Sequence, residues 1–312
     1  MPPDPMPAAG PPAASRPAAA DIRQPRKDRS VDLSTARRSR RWAARIQLAV
    51  SVTILAIVFG FAIFAPWAAP YDPNAIALDN ITQPPSATHW LGTDQLGRDI
   101  LSRVMWGGRV SLFLTICAVL IAGSVGTLIG VVSGYLGGIV DSIMMRCADV
   151  QFSLPSVILA MMLVGAVGAS TLNLIIVLSL ANWARFARVI RSEALTLRQR
   201  DFVLLARLGG ASAFRIVAVH IIPNVLNTFI VLATLDVGLI IILEATLSFL
   251  GLGVQPPDPS WGTMIADGRG YLEQAWWIAL CPGAVLMATV LAGNMLGDSL
   301  RDRLNPALAS RW

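Results

Sequence analysis

"RDFVLLARLGGASAFRIVAVHIIPN", residues 200–224, lies between two long runs with almost no charge. It carries Arg200, Arg207 and Arg215, a Gly209–Gly210 pair and Pro223, yet much of it is as apolar as its neighbours. Glu193 to Leu208 suit one helix, in which Leu197, Leu204, Leu205 and Leu208 alternate with arginines. Gly209 and Gly210 end it, because glycine enters the left-handed region at little cost. Ser212 caps a second short helix through Ile216 and Val219, and Pro223 suits the first turn of the apolar helix that follows. The stretch is therefore a helix–turn–helix between membrane spans. Its periodicity fits two roles equally: an amphipathic helix resting on lipid, or a docking element for another protein.

Outward from this stretch the chain reads as an all-α integral membrane protein. Of 312 residues 54% are hydrophobic and 14% charged, too little charge to cover a soluble domain. A hydrocarbon core about 30 Å thick needs roughly 20 apolar residues per helix. Six segments qualify, at about 46–65, 110–134, 153–169, 172–190, 223–247 and 277–297. The third contains Pro155, with Arg146 and Asp149 before it, so it is expected to start near residue 140 and bend at the proline. Gly168–Ser170 is short enough to join the third and fourth as a hairpin.

Basic residues set the orientation, since cytoplasmic loops favour them. Only Arg98, Arg103, Arg109 and Arg269 fall on one side; the rest of the 25 Lys and Arg fall on the other. Both termini and the 200–224 stretch are thus expected in the cytoplasm, with loops 66–108 and 248–276 outside. The net charge of +6 follows from this bias and requires no nucleic acid. Residues 1–45, rich in Pro, Ala and Arg, read as a disordered basic tail that can rest on anionic lipid. The membrane-spanning body is 46–306, and 307–312 is a short cytoplasmic tail.

Several chemistries are excluded. Lys27 is the only lysine, so no G-x-x-x-x-G-K-[ST] phosphate loop exists. His89 and His220 are far apart and form no H-E-x-x-H site. No G-x-S-x-G turn is present. Cys117, Cys147 and Cys281 are odd in number and widely spaced, which suits packing better than a disulfide or metal site. No catalysis is expected in this polypeptide. Gly126, Gly130, Gly134 and Gly138, and again Gly293 and Gly297, recur every four residues and mark close helix packing. Asp236 and Glu244 are acids inside the fifth span. Asp236 is a candidate pore-lining residue that could receive an amino group, or a partner for another helix. Glu244 is expected to pair with an arginine such as Arg98 or Arg109.

The stretch also resembles the EAA loop of ABC-importer permeases: Glu-Ala-Ala, three residues, Gly, nine residues, Ile, one residue, Leu-Pro. Leu204, Leu205 and Ala206 fall at the first three positions, Gly210 at the glycine, His220 and Ile222 at the apolar positions, and Pro223 at the proline. The leading Glu is replaced by Leu204. "HWLGTDQLGRDILSRVMWGGRVSL" (89–112), "GYLGGIVDSIMMRCADV" (134–150) and "EATLSFLGLGVQPPDPSWGTMI" (244–265) are similar to the second-type subunit of the dipeptide/oligopeptide/nickel group. The resemblance covers about residues 46–306.

It implies a six-span type I ABC-importer permease in the bacterial cytoplasmic membrane, forming half of a pore with a homologous permease subunit. Two ATP-binding cassette subunits would hold ATP and Mg, with no cofactor in this chain, and an external binding protein would deliver cargo. Docking of the ATPase subunits is expected at Asp201, Leu204, Leu205, Ala206, Arg207, Gly210 and Ala211. Asp94, Asp258 and Trp261 are expected to contact the binding protein, with Trp261–Gly262 forming a turn. Cargo would be a dipeptide or oligopeptide, alternatively nickel or another small solute. A secondary transporter driven by an ion gradient through Asp236 or Glu244, or a non-transporting scaffold, are the readings from other classes.

Overall fold

A computed structural model of the chain describes residues 29–304; the stretches 1–28 and 305–312, which include the 307–312 tail and the last two residues of the 46–306 body, lie outside them. Ten α-helices follow one another: α1 (Arg29–Ala68), α2 (Ile100–Leu136), α3 (Gly138–Phe152), α4 (Ser156–Val167), α5 (Thr171–Arg198), α6 (Asp201–Leu208), α7 (Ala213–Ile216), α8 (Ile222–Phe249), α9 (Trp261–Gly268) and α10 (Trp277–Leu304). Among the described residues the only β-type pairing is the isolated Thr93–Asp99 bridge. Five helices are long and apolar enough to cross a membrane, or six if α3 and α4 count as one span bent by 93°.

Two boundaries differ from expectation, those of α1 and α5, while the third span starts near residue 140 and bends at Pro155 as expected. Helix α1 begins at Arg29, where a disordered stretch was expected up to residue 45, although its apolar span runs Arg45–Ala68. Residues 29–45 contain no Gly or Pro and several Ala and Arg, so a helix nucleated in the span extends backward at little cost. The third span is two helices broken at Ser153–Pro155, where proline removes a donor and clashes with the preceding turn. The expected Glu193–Leu208 helix is also divided. Helix α5 runs to Arg198, and α6 restarts after Arg200, whose backbone is extended (φ −74°, ψ 145°).

The α4–α5 hairpin forms where it was expected. Gly168 turns the chain at φ +85°, Ser170 caps α5 by accepting from the Asn173 N–H, and the Asn173 amide donates to the Val167 carbonyl at 2.8 Å. The hairpin packs Ala160 and Val164 against Leu174 and Leu178, in a core shared with Leu114, Ala118 and Ile240.

Helix α2 packs along α5 over most of its length, and the glycines explain why it can. A Cβ at Gly130 would lie 2.6 Å from the Ala187 carbonyl oxygen, and one at Gly134 2.8 Å from that of Arg191. Gly126 abuts the Trp183 carbonyl in the same way. These three positions form the contact strip; Gly138 faces open space at φ +60° and lies outside it. In the second repeat only Gly297 meets a neighbour, Leu235. All three cysteines are free, Cys117 and Cys281 packed at the edges of core clusters and Cys147 exposed.

Candidate functional site

Helices α6 and α7 form a hairpin at one end of the bundle, and its local chemistry dictates the turn. Asp201 lies in the first turn of α6, where a carboxylate favours the positive helix end. At the other end the Gly210 N–H donates to the Arg207 carbonyl and the Ala211 N–H to the Ala206 carbonyl, both at 3.1 Å. That pair of bonds is a Schellman cap, which needs a left-handed residue at Gly210; its φ is +80°. Gly209 keeps φ −74°, so one glycine of the pair makes the turn. Ser212 then caps α7 by accepting from the Arg215 N–H at 3.3 Å.

Helix α8 does not start afresh at Pro223. The helical path continues from Ala213 through a π turn, Val217–Ile221, into α8. A wider turn spares the carbonyl that the proline ring would strike and leaves no partner wanting its missing N–H.

The hairpin is held from behind and open in front. Val203 and Ile216 are buried with Val131, Tyr135, Ile190 and Val225, and Ala206 and Ala211 pack at the edge of this cluster. The Arg207 guanidinium sits 5.7 Å from the Tyr135 ring centroid, within cation–π range. The front presents Phe202, Leu204, Leu205, Leu208 and Phe214, with Leu208 84% and Phe214 83% exposed. Leu204, at the position of the family glutamate, is part of this apolar front. Such a patch on a rigid support marks an interaction surface.

At the opposite end the expected contact residues separate. Asp94 is 2% exposed, accepting from the Leu96 N–H (2.8 Å), the Arg98 N–H (2.9 Å) and the Arg98 Nε–H (2.6 Å). It organises a loop and offers no surface. Trp261 is 1% exposed, donating through Nε1 to the Val104 carbonyl at 3.0 Å. It opens helix α9 where a turn was expected, because Ser260 and Thr263 make a capping box around it. Gly262 brings α9 against Ala245 of α8. Only Asp258 is exposed, on the rim of a cleft of about 880 Å³ that also reaches Asp72, Trp106 and Arg109. Behind it, Arg98 and Arg103 approach Asp267 to 3.9 and 4.0 Å; burial pushes the Asp267 carboxyl above its ordinary value, and the Arg103 and Arg98 charges oppose the shift.

The entry of α2 is fixed by Asp99. Its carboxylate accepts from the Ser102 N–H and Ser102 Oγ, each at 2.8 Å, and lies 2.9 Å from His89 Nδ1. Asp99→Ala is expected to destabilise the folded protein by about 1–2 kcal/mol, the usual loss for an N-cap. Thermal unfolding in detergent micelles reads it, and an unchanged Tm would deny Asp99 this role.

The two acids of α8 lie in different surroundings. Glu244 is fully buried and meets neither Arg98 nor Arg109, the partners expected for it. Ser111 Oγ donates to it at 3.1 Å and Ser248 Oγ at 2.8 Å, with Ser260 3.4 Å beyond Ser248. Its partners are hydroxyls because α2 and α9 cross α8 at small residues here. Asp236 is also fully buried and pairs with Arg185 of α5 at 2.9 Å.

The fourth span, expected at about 172–190, runs on as α5 to Arg198. Arg185, Arg188 and Arg191 all lie within α5, each beside an aspartate: Asp236, Asp149 and Asp141. Arginines three apart on one helical face were the available signal. Among the described residues no group of three or more His, Cys, Asp and Glu side chains comes together.

A family model described as "Binding-protein-dependent transport system inner membrane component" matches residues 126–310, and one described as "N-terminal TM domain of oligopeptide transport permease C" matches residues 48–85. The chain is 42% identical over 256 residues to the "Probable D,D-dipeptide transport system permease protein DdpC" of Escherichia coli (strain K12), covering 82% of this chain and 86% of that one. It is 43% identical over 276 residues to the "Nickel transport system permease protein NikC" of the same strain, covering 87% and 97%. It is 42% identical over 261 residues to the "Di/tripeptide transport system permease protein DppC" of Pseudomonas aeruginosa (strain UCBPP-PA14), covering 82% and 86%.

Proposed function

Because this chain belongs to the family of binding-protein-dependent transport system inner membrane components, we propose that it carries dipeptides or short oligopeptides as one half of a two-subunit pore. It is a multi-pass permease subunit of an ABC importer. The other half is a homologous permease, two ATP-binding cassette subunits supply ATP and Mg, and an external binding protein delivers cargo. Arg198, Arg200, Arg207 and Arg215 at the end of α5 and in the hairpin, with Arg301 and Arg303 at the end of α10, support placing the hairpin and both termini in the cytoplasm.

One observation carries the coupling role: an apolar hairpin exposed in front and anchored behind by Val203 and Ile216. A helix that merely floated on lipid would need no buried anchors in α2, α5 and α8. Rigid anchoring lets a docked partner push the spans directly. ATP binding must then favour one arrangement by a few kcal/mol to move the gate.

The peptide reading is supported by the dipeptide and di/tripeptide permeases among the relatives, and the nickel relative favours a second cargo. Purifying the chain with its natural partners and identifying the ligand on the binding protein by mass spectrometry decides between them. A peptide is expected; a nickel chelate would overturn the reading. In the same system Asp258→Lys, on the exposed rim, is expected to slow association of the binding protein several-fold and to change its salt dependence. The ATPase subunits should still copurify. Unchanged association would leave this loop with a sealing role only.

A further inference from the structure

The cavity between α4, α5 and α8 has a volume of about 480 Å³, within the range of small-molecule sites. Its wall is mostly apolar, with Gln151, Ser156, Asn182, Arg185 and Thr246 as convergent polar groups. Two features mark it as more than a packing defect.

The first is the break in the third span. Helix α4 has 12 residues, so it rises about 18 Å, and the irregular backbone at Ser153–Pro155 falls inside a hydrocarbon layer of about 30 Å. Irregular backbone at that depth is tolerated only where it is covered by protein or lines a polar cavity. The residues flanking this break are the ones that line the cavity.

The second is Arg185. Of the three arginines on α5, Arg191 is gripped by both oxygens of Asp141. Arg188 donates to Asp149 at 2.6 Å and covers the Phe152 ring at 4.1 Å. Arg185 is held less completely. Its Nη1 lies 2.9 Å from Asp236 Oδ1, yet neither Asp236 oxygen accepts a well-directed hydrogen bond. Its side chain is 45% exposed while that of Asp236 is 1% exposed. The charge is balanced from behind, and donors remain free in front. A half-exposed guanidinium at this depth does not face lipid.

We propose that this cavity is a cargo site on the translocation path, in which Arg185 binds a carboxylate, that of the C-terminus when the cargo is a peptide. The proposal rests on the peptide reading. Guanidinium suits this task because its planar fork matches a carboxylate with two donors. Asp236 is a positioning residue: it is too deep to meet cargo and fixes the guanidinium edge. The site reverses the polarity expected from Asp236 alone, binding an anion where an amine was anticipated.

The test uses the full complex with its binding protein in vesicles and labelled alanylalanine as cargo. Arg185→Gln alone leaves Asp236 buried without a counter-charge and can fail to assemble, so Arg185→Gln/Asp236→Asn is made alongside. The neutral pair is expected to assemble at normal yield and to lower the maximal uptake rate about tenfold, the loss for one charge-assisted contact. The KM, set by the binding protein, stays constant. Arg185→Lys, which keeps the charge without the fork, falls between. Wild-type uptake by the neutral double variant would reduce Arg185 to a neutraliser of Asp236 and overturn the proposal. Failure of the unmodified complex to carry alanylalanine or other small peptides strikes the peptide reading itself, and the proposal falls with it.

Discussion

Gly210→Leu is expected to leave the chain folded, inserted and paired with its sister permease, and to cut coupled transport by more than about tenfold. Two effects combine. The residue sits at φ +80° in the Schellman cap, a conformation that costs a non-glycine residue about 1–2 kcal/mol. That loss is too small to unfold a bundle of five or six spans but large enough to shift the angle between α6 and α7. The second effect lies outside the chain. A Cβ at Gly210 would meet nothing within 4 Å, so the added side chain finds no partner in this chain and enters the space a docked subunit must occupy. Asn tolerates the left-handed region, so Gly210→Asn should retain more transport than Gly210→Leu. Reconstituted uptake and stimulated ATPase activity in the same vesicles read both variants. Normal transport with normal stimulation by Gly210→Leu would remove the hairpin from the coupling path and return it to the lipid surface.

The parts of this fold that were legible are those written in local chemistry. The spans, the α4–α5 hairpin, the break at Pro155 and the turn at Gly210 each follow from a run of apolar residues or a single Gly or Pro. What escaped was set by partners far along the chain. Trp261 reads as an exposed loop aromatic until α9 carries it to Val104, 157 residues away. Asp94 reads as a free surface charge until the loop folds its backbone N–H groups around it. Glu244 was expected beside arginine because a buried acid needs a partner, a need that nearby serines meet equally well. The pairing of Arg185 with Asp236 joins residues on two helices whose relative rotation no periodicity specifies.

Helix rotation also decides what a glycine repeat means, and it separates two sites that look alike in sequence. Gly130→Ala is expected to destabilise the protein by about 1–3 kcal/mol, the range for overpacking a tight interface. The new Cβ would lie 2.6 Å from the Ala187 carbonyl oxygen and 3.0 Å from the Arg191 N–H nitrogen, and backbone atoms cannot rotate away. Helix α5 would have to retreat from α2. That would disturb the Arg191–Asp141 pair and the helix that leads directly into α6. Gly293→Ala, from the second repeat, is expected to have the opposite sign. Its Cβ meets nothing within 4 Å, so the exchange brings the helix-propensity gain of up to about 1 kcal/mol without a clash. Thermal unfolding of the two variants in the same detergent measures both. A lower Tm for Gly130→Ala together with an equal or higher one for Gly293→Ala assigns the close approach to α2 and α5. Equal losses at both sites would mean that α10 is packed as tightly as α2, and the contact strip would have to be redrawn.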